Sequence, residues 1–255
     1  MNLQLPLDAA AGYKSPSRRA GLITEAWATQ TLYCANCSSP RLERLRTNTP
    51  AKDFVCPKCE SAYQLKSQGH PFGRKVLDAE YKTMVGAIRE DTTLNLLVLH
   101  YSKDAWQVVN LVLVPRFALS VSAIEKRKPL RSSAERANWV GCYIVLERIP
   151  LEARIPIVRE GMVRSKLEVR EAYRRLRPLE RLRVESRGWT LDVLAGIRSL
   201  NKREFSLGEA YSLESHLSAL HPANRNVRPK IRQQLQVLRD MGLVDFLGAG
   251  RYRLE

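Results

Sequence analysis

Apolar residues recur at helical spacing after Ser15-Pro16, at Ala20, Ile23 and Trp27, so residues 16–30 are predicted to open the chain as a helix, with Glu25 inside it. Residues 62–66, 94–101, 108–114, 141–146 and 155–158 read as strands, and a polar Ser-Lys-Asp turn separates the second from the third. Between the first two strands, Val76, Ala79, Met84, Ala87 and Ile88 predict a helix over 76–90. Helix, strands, helix, strands is an α/β order with a central mixed sheet.

The pattern changes after about residue 160. Residues 164–187 carry many Arg and Glu side chains and few large apolar ones. They predict a solvated helical or extended connector, open to direct DNA contact. From Gly188 a helix is expected over 190–200, with Thr190 as cap and Leu191, Leu194 and Ile197 on one side. Ser206 and Glu209 form a capping-box signature that starts a second helix over 206–220. A third, over about 227–241, has Asn226 as its cap and Pro229 in its first turn. Ile231, Leu235 and Leu238 make its inner stripe, and Arg228, Arg232, Gln236 and Arg239 lie opposite. Residues 243–247, Gly248-Ala249-Gly250 and residues 251–254 complete a hairpin.

Three helices and a hairpin predict a winged helix over 186–255, leaving 1–185 as a first domain. In that arrangement the third helix enters the major groove. Arg228, Lys230, Arg232, Gln233 and Gln236 are then the candidates for base edges and phosphates, and Arg251 and Arg253 on the wing for the flanking backbone. Winged helices also bind proteins. Charge decides for DNA here, since the 255 residues carry a formal net charge of +16.

That length allows two domains. The longest apolar stretches are strand-sized, so no membrane partner is expected. The first lysine is Lys14 and no apolar core precedes it, so no secretory leader is expected and a cytoplasmic location is the expectation.

A cytoplasmic setting changes the reading of the cysteines. Cys34-Ala35-Asn36-Cys37 and Cys56-Pro57-Lys58-Cys59 are two CxxC pairs separated by residues 38–55. Disulfides and redox thiols are the alternatives. In a reducing compartment the spacing favours a four-cysteine Zn²⁺ ribbon over about 31–62. Four protein ligands leave no open position, so this zinc is structural. The remaining Cys142, in Gly-Cys-Tyr-Ile-Val-Leu, reads as a buried strand cysteine.

The second cysteine pair is threaded through another constellation. Pro50-Ala51-Lys52-Asp53 followed by Gln64-Leu65-Lys66 has the form of a PD-(D/E)xK nuclease core written D…QxK. Asp53 offers an anionic oxygen to Mg²⁺, Gln64 a neutral carbonyl oxygen, and Leu65 its backbone carbonyl. Lys66 returns to the face of Gln64, where it can orient an attacking water. The same letters also describe an edge-strand lysine beside a ribbon.

With these pieces in place, the chain resembles the DpnI-type, methyl-directed restriction endonucleases, also called the Dam-replacing family. The resemblance rests on Leu-Ile-Thr-Glu-Ala-Trp at 22–27, Tyr-Cys-Ala-Asn-Cys at 33–37 and the block from Asp53 to Lys66. It continues through Lys-Arg-Lys-Pro-Leu at 126–130, Trp-Val-Gly-Cys at 139–142, Ser-Arg-Gly-Trp-Thr at 186–190 and Lys-Ile-Arg-Gln-Gln-Leu-Gln-Val-Leu-Arg-Asp at 230–240. It implies a type II site-specific deoxyribonuclease of a restriction-modification system. The implied substrate is double-stranded DNA at GATC sites carrying N6-methyladenine, the implied cofactor Mg²⁺, and no small-molecule cofactor is expected.

By position, Asp53, Gln64 and Lys66 fall on the family's catalytic triad and Cys34, Cys37, Cys56 and Cys59 on its zinc ligands. Gln64 stands where the family's best-known member has Glu. Trp139 resembles a family tryptophan suited to the wall of a methyl pocket, and a core tryptophan is the alternative. Arg228, Arg232 and Gln233 are candidates for a second methyl reader. Two rival functions remain, another modified-DNA nuclease and a catalytically silent reader of methylated DNA that regulates.

Overall fold

The computed structural model describes residues 1–45, 52–130 and 137–255. Pro50 and Ala51 of the expected nuclease motif lie outside the described residues. In chain order the elements are α1 (Pro16–Thr31), β1 (Glu43–Arg44), β2 (Phe54–Val55), β3 (Ala62–Gln68), β4 (Lys75–Glu80), α2 (Tyr81–Arg89), β5 (Asn95–Ser102) and β6 (Gln107–Val114). There follow β7 (Ile124–Lys126), β8 (Gly141–Val145), β9 (Ile155–Arg159), β10 (Met162–Val163), α3 (Lys166–Leu176) and α4 (Val184–Ser199). The chain finishes with β11 (Glu204–Ser206), α5 (Leu207–Tyr211), α6 (Glu214–Leu220), α7 (Val227–Asp240), β12 (Val244–Gly248) and β13 (Arg251–Leu254).

The chain divides into two compact units: residues 1–76, 92–116 and 152–174 form the first, and residues 77–91, 117–151 and 175–255 the second. The first is built on a mixed seven-stranded sheet in the order β1-β2-β3-β5-β6-β9-β10. Among the described residues only β3 and β5 run parallel in it, and every other neighbouring pair is antiparallel. β5 is buried on both faces from Asn95 to Tyr101, as a central strand must be. Its one amide, Asn95, donates to the Ala62 carbonyl (3.1 Å) and accepts from Arg116 N–H (3.1 Å) and the Tyr173 hydroxyl (2.9 Å).

The charged segment expected to be a solvated connector contains α3, and that helix is anchored. Val169 and Tyr173 recur at four-residue spacing and are buried. Arg170 donates to the carbonyls of Cys34 (3.0 Å) and Ser39 (2.8 Å), so this helix clasps the first cysteine knuckle.

The second unit contains the sheet β4-β8-β7 and the C-terminal helices. The first third of the helix expected over 76–90 is strand, because residues 75–80 form β4. Val76 and Asp78 are buried while Lys75 and Leu77 are exposed, a two-residue period that the outward-facing Leu77 hides in the sequence. Cys142 is buried in β8 and donates to the Ala79 carbonyl at 3.4 Å.

α4 begins at Val184, not at Thr190. Thr190 is fully buried inside the helix and bonds the Ser186 carbonyl (2.9 Å) and Gln234 Oε1 (2.6 Å), so it is a packing residue and not a cap. The second predicted helix is two short ones, α5 and α6. The hairpin β12–β13 gains a third strand, β11, in the order β11-β13-β12. On α7, Val227, Ile231, Leu235 and Leu238 are buried, in keeping with the predicted stripe. No helix among the described residues is long and apolar enough to cross a membrane.

The capping box at α5 is formed in full: Glu209 N–H donates to Ser206 Oγ (3.1 Å), and Ser206 N–H donates to Glu209 Oε2 (2.7 Å). Lys202 and Ser206 hold the Glu209 carboxyl down at about 2. Ser206→Ala is expected to cost about 1 kcal/mol in urea unfolding at neutral pH. A carboxylate with a depressed folded-state pKa stabilises above its unfolded pKa and loses that contribution as pH falls through about 2. The deficit of the variant should therefore shrink in acid. A deficit constant across that window would remove the reciprocal half of the box.

Candidate active site and metal centre

The four cysteines of the two CxxC pairs converge. Their Sγ atoms all lie within 4.8 Å of one another. Cys34 and Cys59 are 3.6 Å apart and Cys37 and Cys56 3.5 Å, so these are unbonded thiols. A tetrahedral ion with Zn–S bonds of about 2.3 Å has edges of roughly 3.8 Å, so the cluster fits zinc with little adjustment.

Donors surround the sulfurs. The backbone N–H groups of Ser39 and Lys58 approach Cys37 and Cys56 at 3.4 Å each, and the Tyr63 hydroxyl lies 3.3 Å from Cys34. Such contacts orient ligands and favour thiolates. Burial pushes the Cys34 and Cys37 thiols up. Burial acts the same way on Cys56, but the N–H groups of Cys59 and Lys58 outweigh it and bring that thiol to about 7.

The second knuckle turns directly into the strands that carry the other constellation. β2 pairs with β3 through Phe54↔Tyr63 and Val55↔Ala62. Continuing that register sets Asp53 opposite Gln64. Asp53 N–H donates to the Tyr63 carbonyl (3.0 Å), and Leu65 N–H donates to Asp53 Oδ2 (2.7 Å). The carboxylate thus takes over the sheet hydrogen bond where β2 ends, and its other oxygen is left for a further partner.

Gln64 and Lys66 share one face of β3 and Tyr63 and Ser67 the other, where Thr24 Oγ1 of α1 meets Ser67 Oγ at 3.0 Å. The N–H and C=O of a strand residue leave on the same side, so the Leu65 carbonyl lies on the edge that Asp53 occupies. Burial raises the Asp53 pKa, opposed by the Leu65 N–H and by the charges of Lys66 and Arg44. Arg44 is itself ion-paired with Glu25 of α1. Sequence reasoning noted Glu25 and missed Arg44, which nothing in the local pattern ties to Asp53.

Trp139 belongs to the second unit and is half-buried. Its ring lies across Gly141, where an added Cβ would sit 2.7 Å from the ring and 3.2 Å from Arg127 Nη1. A glycine there is what lets the indole approach the strand so closely. Arg127, whose guanidinium lies 5.3 Å from the Tyr143 ring centre, is a neighbour of Trp139 that the sequence did not reveal.

On α7, Arg232, Gln233 and Gln236 are exposed and line one shallow concavity with Tyr211, Arg228 and Pro229. Arg228 is paired with Glu214 (2.7 Å) and lies over Tyr211, and Lys230 donates to Gln233 (2.9 Å). The wing arginines are held within their own sheet, Arg251 by Glu204 (2.9 Å) and Arg253 by Asp245 (3.0 Å).

Comparison with protein-family models gives two matches. Residues 1–182 match the Dam-replacing family, and residues 185–254 match the Dam-replacing HTH domain. The first match spans the cysteine cluster and the Asp53 edge, the second spans α4 to β13, and by their extent the chain belongs to the Dam-replacing family.

Proposed function

We propose that the protein is a type II restriction endonuclease that hydrolyses double-stranded DNA at GATC sites carrying N6-methyladenine. Membership of the Dam-replacing family supports a methyl-directed restriction enzyme with an HTH module for DNA. The observation that carries the catalytic part is the Leu65 N–H bond to the Asp53 carboxylate, at the end of a register that continues to Gln64 and within reach of the Lys66 charge. We read this edge as a PD-(D/E)xK centre within residues 1–185, followed by a winged helix over 186–255.

Asp53, Gln64 and the Leu65 carbonyl form an all-oxygen donor set that suits Mg²⁺. When bound there, the ion would supply Lewis-acid polarisation of the scissile phosphate. Asp53 is held for this task by the Leu65 N–H, which fixes one oxygen and leaves the other to face a ligand. Lys66 places its ammonium beside the same carboxylate, where it can orient a water and favour its hydroxide form. Gln64 contributes an oxygen without charge, which predicts a weaker hold on the metal than a Glu would give.

The four cysteines would hold a structural Zn²⁺. Arg232, Gln233 and Gln236 present donors to a major groove, with Arg228 and Lys230 beside them. Arg251 and Arg253 reach flanking phosphates by exchanging an ion-pair partner. Trp139 is suited to the wall of a methyl pocket.

The test is cleavage of one plasmid prepared with and without adenine methylation at GATC, in the presence of Mg²⁺. Fragments from the methylated form alone are expected. Cutting of both forms would overturn methyl direction and leave another modified-DNA or general nuclease. The uncharged Gln64 favours a second reading, a silent reader of methylated DNA. Binding without cutting of either form would select it.

A further inference from the structure

Within the second unit lies a cavity of about 1270 Å³ that the catalytic and base-reading roles leave unused. Its walls come from the end of α2, the segment 120–124, Arg148, the start of α4 and the loop from α6 into α7. Arg89, Arg148, Arg183 and Arg225 line it and are exposed, and Lys230 lines it half-buried. Among the described residues two acids face these five cations. Glu185 is exposed, while Asp192 is buried and fully engaged, accepting from Ser122 Oγ (2.5 Å) and bonded to His221 Nε2 (2.8 Å). Ser122 also accepts Arg148 Nη1 at its carbonyl (2.9 Å), so the group that seals Asp192 also steadies one of the cations.

Two further observations narrow the occupant. The start of α4, a helix of 16 residues, lines the cavity and is not capped by the side chain of its N-cap residue Arg183, whereas at the start of α7 the Asn226 N–H is taken by Asn224 Oδ1 (2.7 Å) and Pro229 has no N–H. Helix starts with free N–H groups suit phosphate oxygens. The aromatic floor, by contrast, is occupied: Trp189 is buried and His221 stacks on it at 3.9 Å, so the indole face toward His221 is closed to a base. The chemistry is therefore that of a phosphate chain.

We propose that this cleft grips the phosphodiester backbone of a DNA strand beside the segment read by α7, independently of sequence and methylation. The proposal rests on the DNA-binding reading above, but not on methyl direction or cleavage. α7 joins the two surfaces, since Lys230 lines the cleft and Arg232, Gln233 and Gln236 the outer concavity. The cleft extends the DNA-facing surface beyond the HTH helices to Arg89 and Arg148.

Equilibrium binding of the full chain to a GATC duplex, methylated and unmethylated, tests this over a range of salt. The combined Arg89→Ala, Arg148→Ala, Arg183→Ala and Arg225→Ala variant is expected to show a plot of log affinity against log salt that is shallower by about 2 to 4, at roughly 0.9 for each phosphate no longer neutralised. The weakening should be by the same factor on both duplexes, because arginines that meet phosphates read no sequence. The four lysine replacements should keep the slope. An unchanged slope, or a loss confined to the methylated duplex, overturns the proposal. Arg183→Ala and Arg225→Ala alone, each expected to lower the slope by about 0.9, decide the matter if the combined variant does not fold. No change in either overturns the proposal as well.

Discussion

Asp53→Asn is expected to abolish cleavage of methylated DNA while leaving binding within about threefold. The asparagine keeps an oxygen for the Leu65 N–H, so the β2–β3 edge stays closed. An alanine would orphan that N–H and confuse catalysis with folding, because an unpaired buried donor costs about 1–3 kcal/mol. What Asn removes is the charge that a divalent ion and a polarised phosphate require. Losing about 4 kcal/mol of transition-state stabilisation slows a reaction roughly 10³-fold. Single-turnover cleavage beside a binding isotherm separates the two effects. A variant that cuts at the wild-type rate would take Asp53 out of the mechanism. A reciprocal change, Gln64→Glu, should lower the Mg²⁺ concentration needed for half-maximal cutting.

Loss of the cysteine cluster should have the largest effect on folding. Cys56→Ser, or exhaustive chelation, is expected to remove bound zinc and lower the melting temperature by more than about 10 °C. Structural zinc contributes about 10–16 kcal/mol in small domains, and about 1 kcal/mol moves a domain of this size by roughly 2–4 °C. The effect should reach the active edge. Tyr63 lies one residue before Gln64, and its hydroxyl bonds both Cys34 Sγ (3.3 Å) and the Ala35 N–H (3.2 Å). Arg170 adds a second tie, from α3 to the first knuckle. Elemental analysis should find one zinc per chain in the wild type and none in the variant. A zinc-free protein that melts like the wild type would remove the metal from the account of stability.

Features with a local cause were legible in the sequence. The CxxC spacing names its own chemistry, and the stripe Ile231, Leu235, Leu238 repeats at the helical period. The runs that became β5 and β6 are too apolar to lie anywhere but in a sheet centre. Other features depend on partners far away in the chain. β4 was hidden because Leu77, an apolar residue, faces outward at 55 % exposure and breaks the alternation. α3 was masked by charge, although Val169 and Tyr173 are buried. Thr190 resembles a cap, but Gln234 on α7 recruits it into the core. Ser122, Asp192 and His221 meet only because the turn before β7, the middle of α4 and the end of α6 converge from different parts of the chain. At the Asp53 edge the residue types were readable, while the hydrogen bond that orients the carboxylate was not.

The ion pair between buried Arg187 and half-buried Asp91 bears on how the protein can be divided. Arg187 is 2 % exposed and donates to Asp91 at 2.5 Å, and Ser122 reaches Asp192 in the same way. Asp91 and Ser122 fall within the stretch matched to the Dam-replacing family, Arg187 and Asp192 within the stretch matched to its HTH domain. The boundary between the matched stretches is thus crossed by an ion pair and by a hydrogen bond to a buried carboxylate. A fragment severed near residue 184 would leave the Arg187 guanidinium without the Asp91 carboxylate it donates to. Grafting this HTH module onto another nuclease would need Asp91 and Ser122 to be rebuilt on the new host, so the module is transferable only together with the bed it lies in.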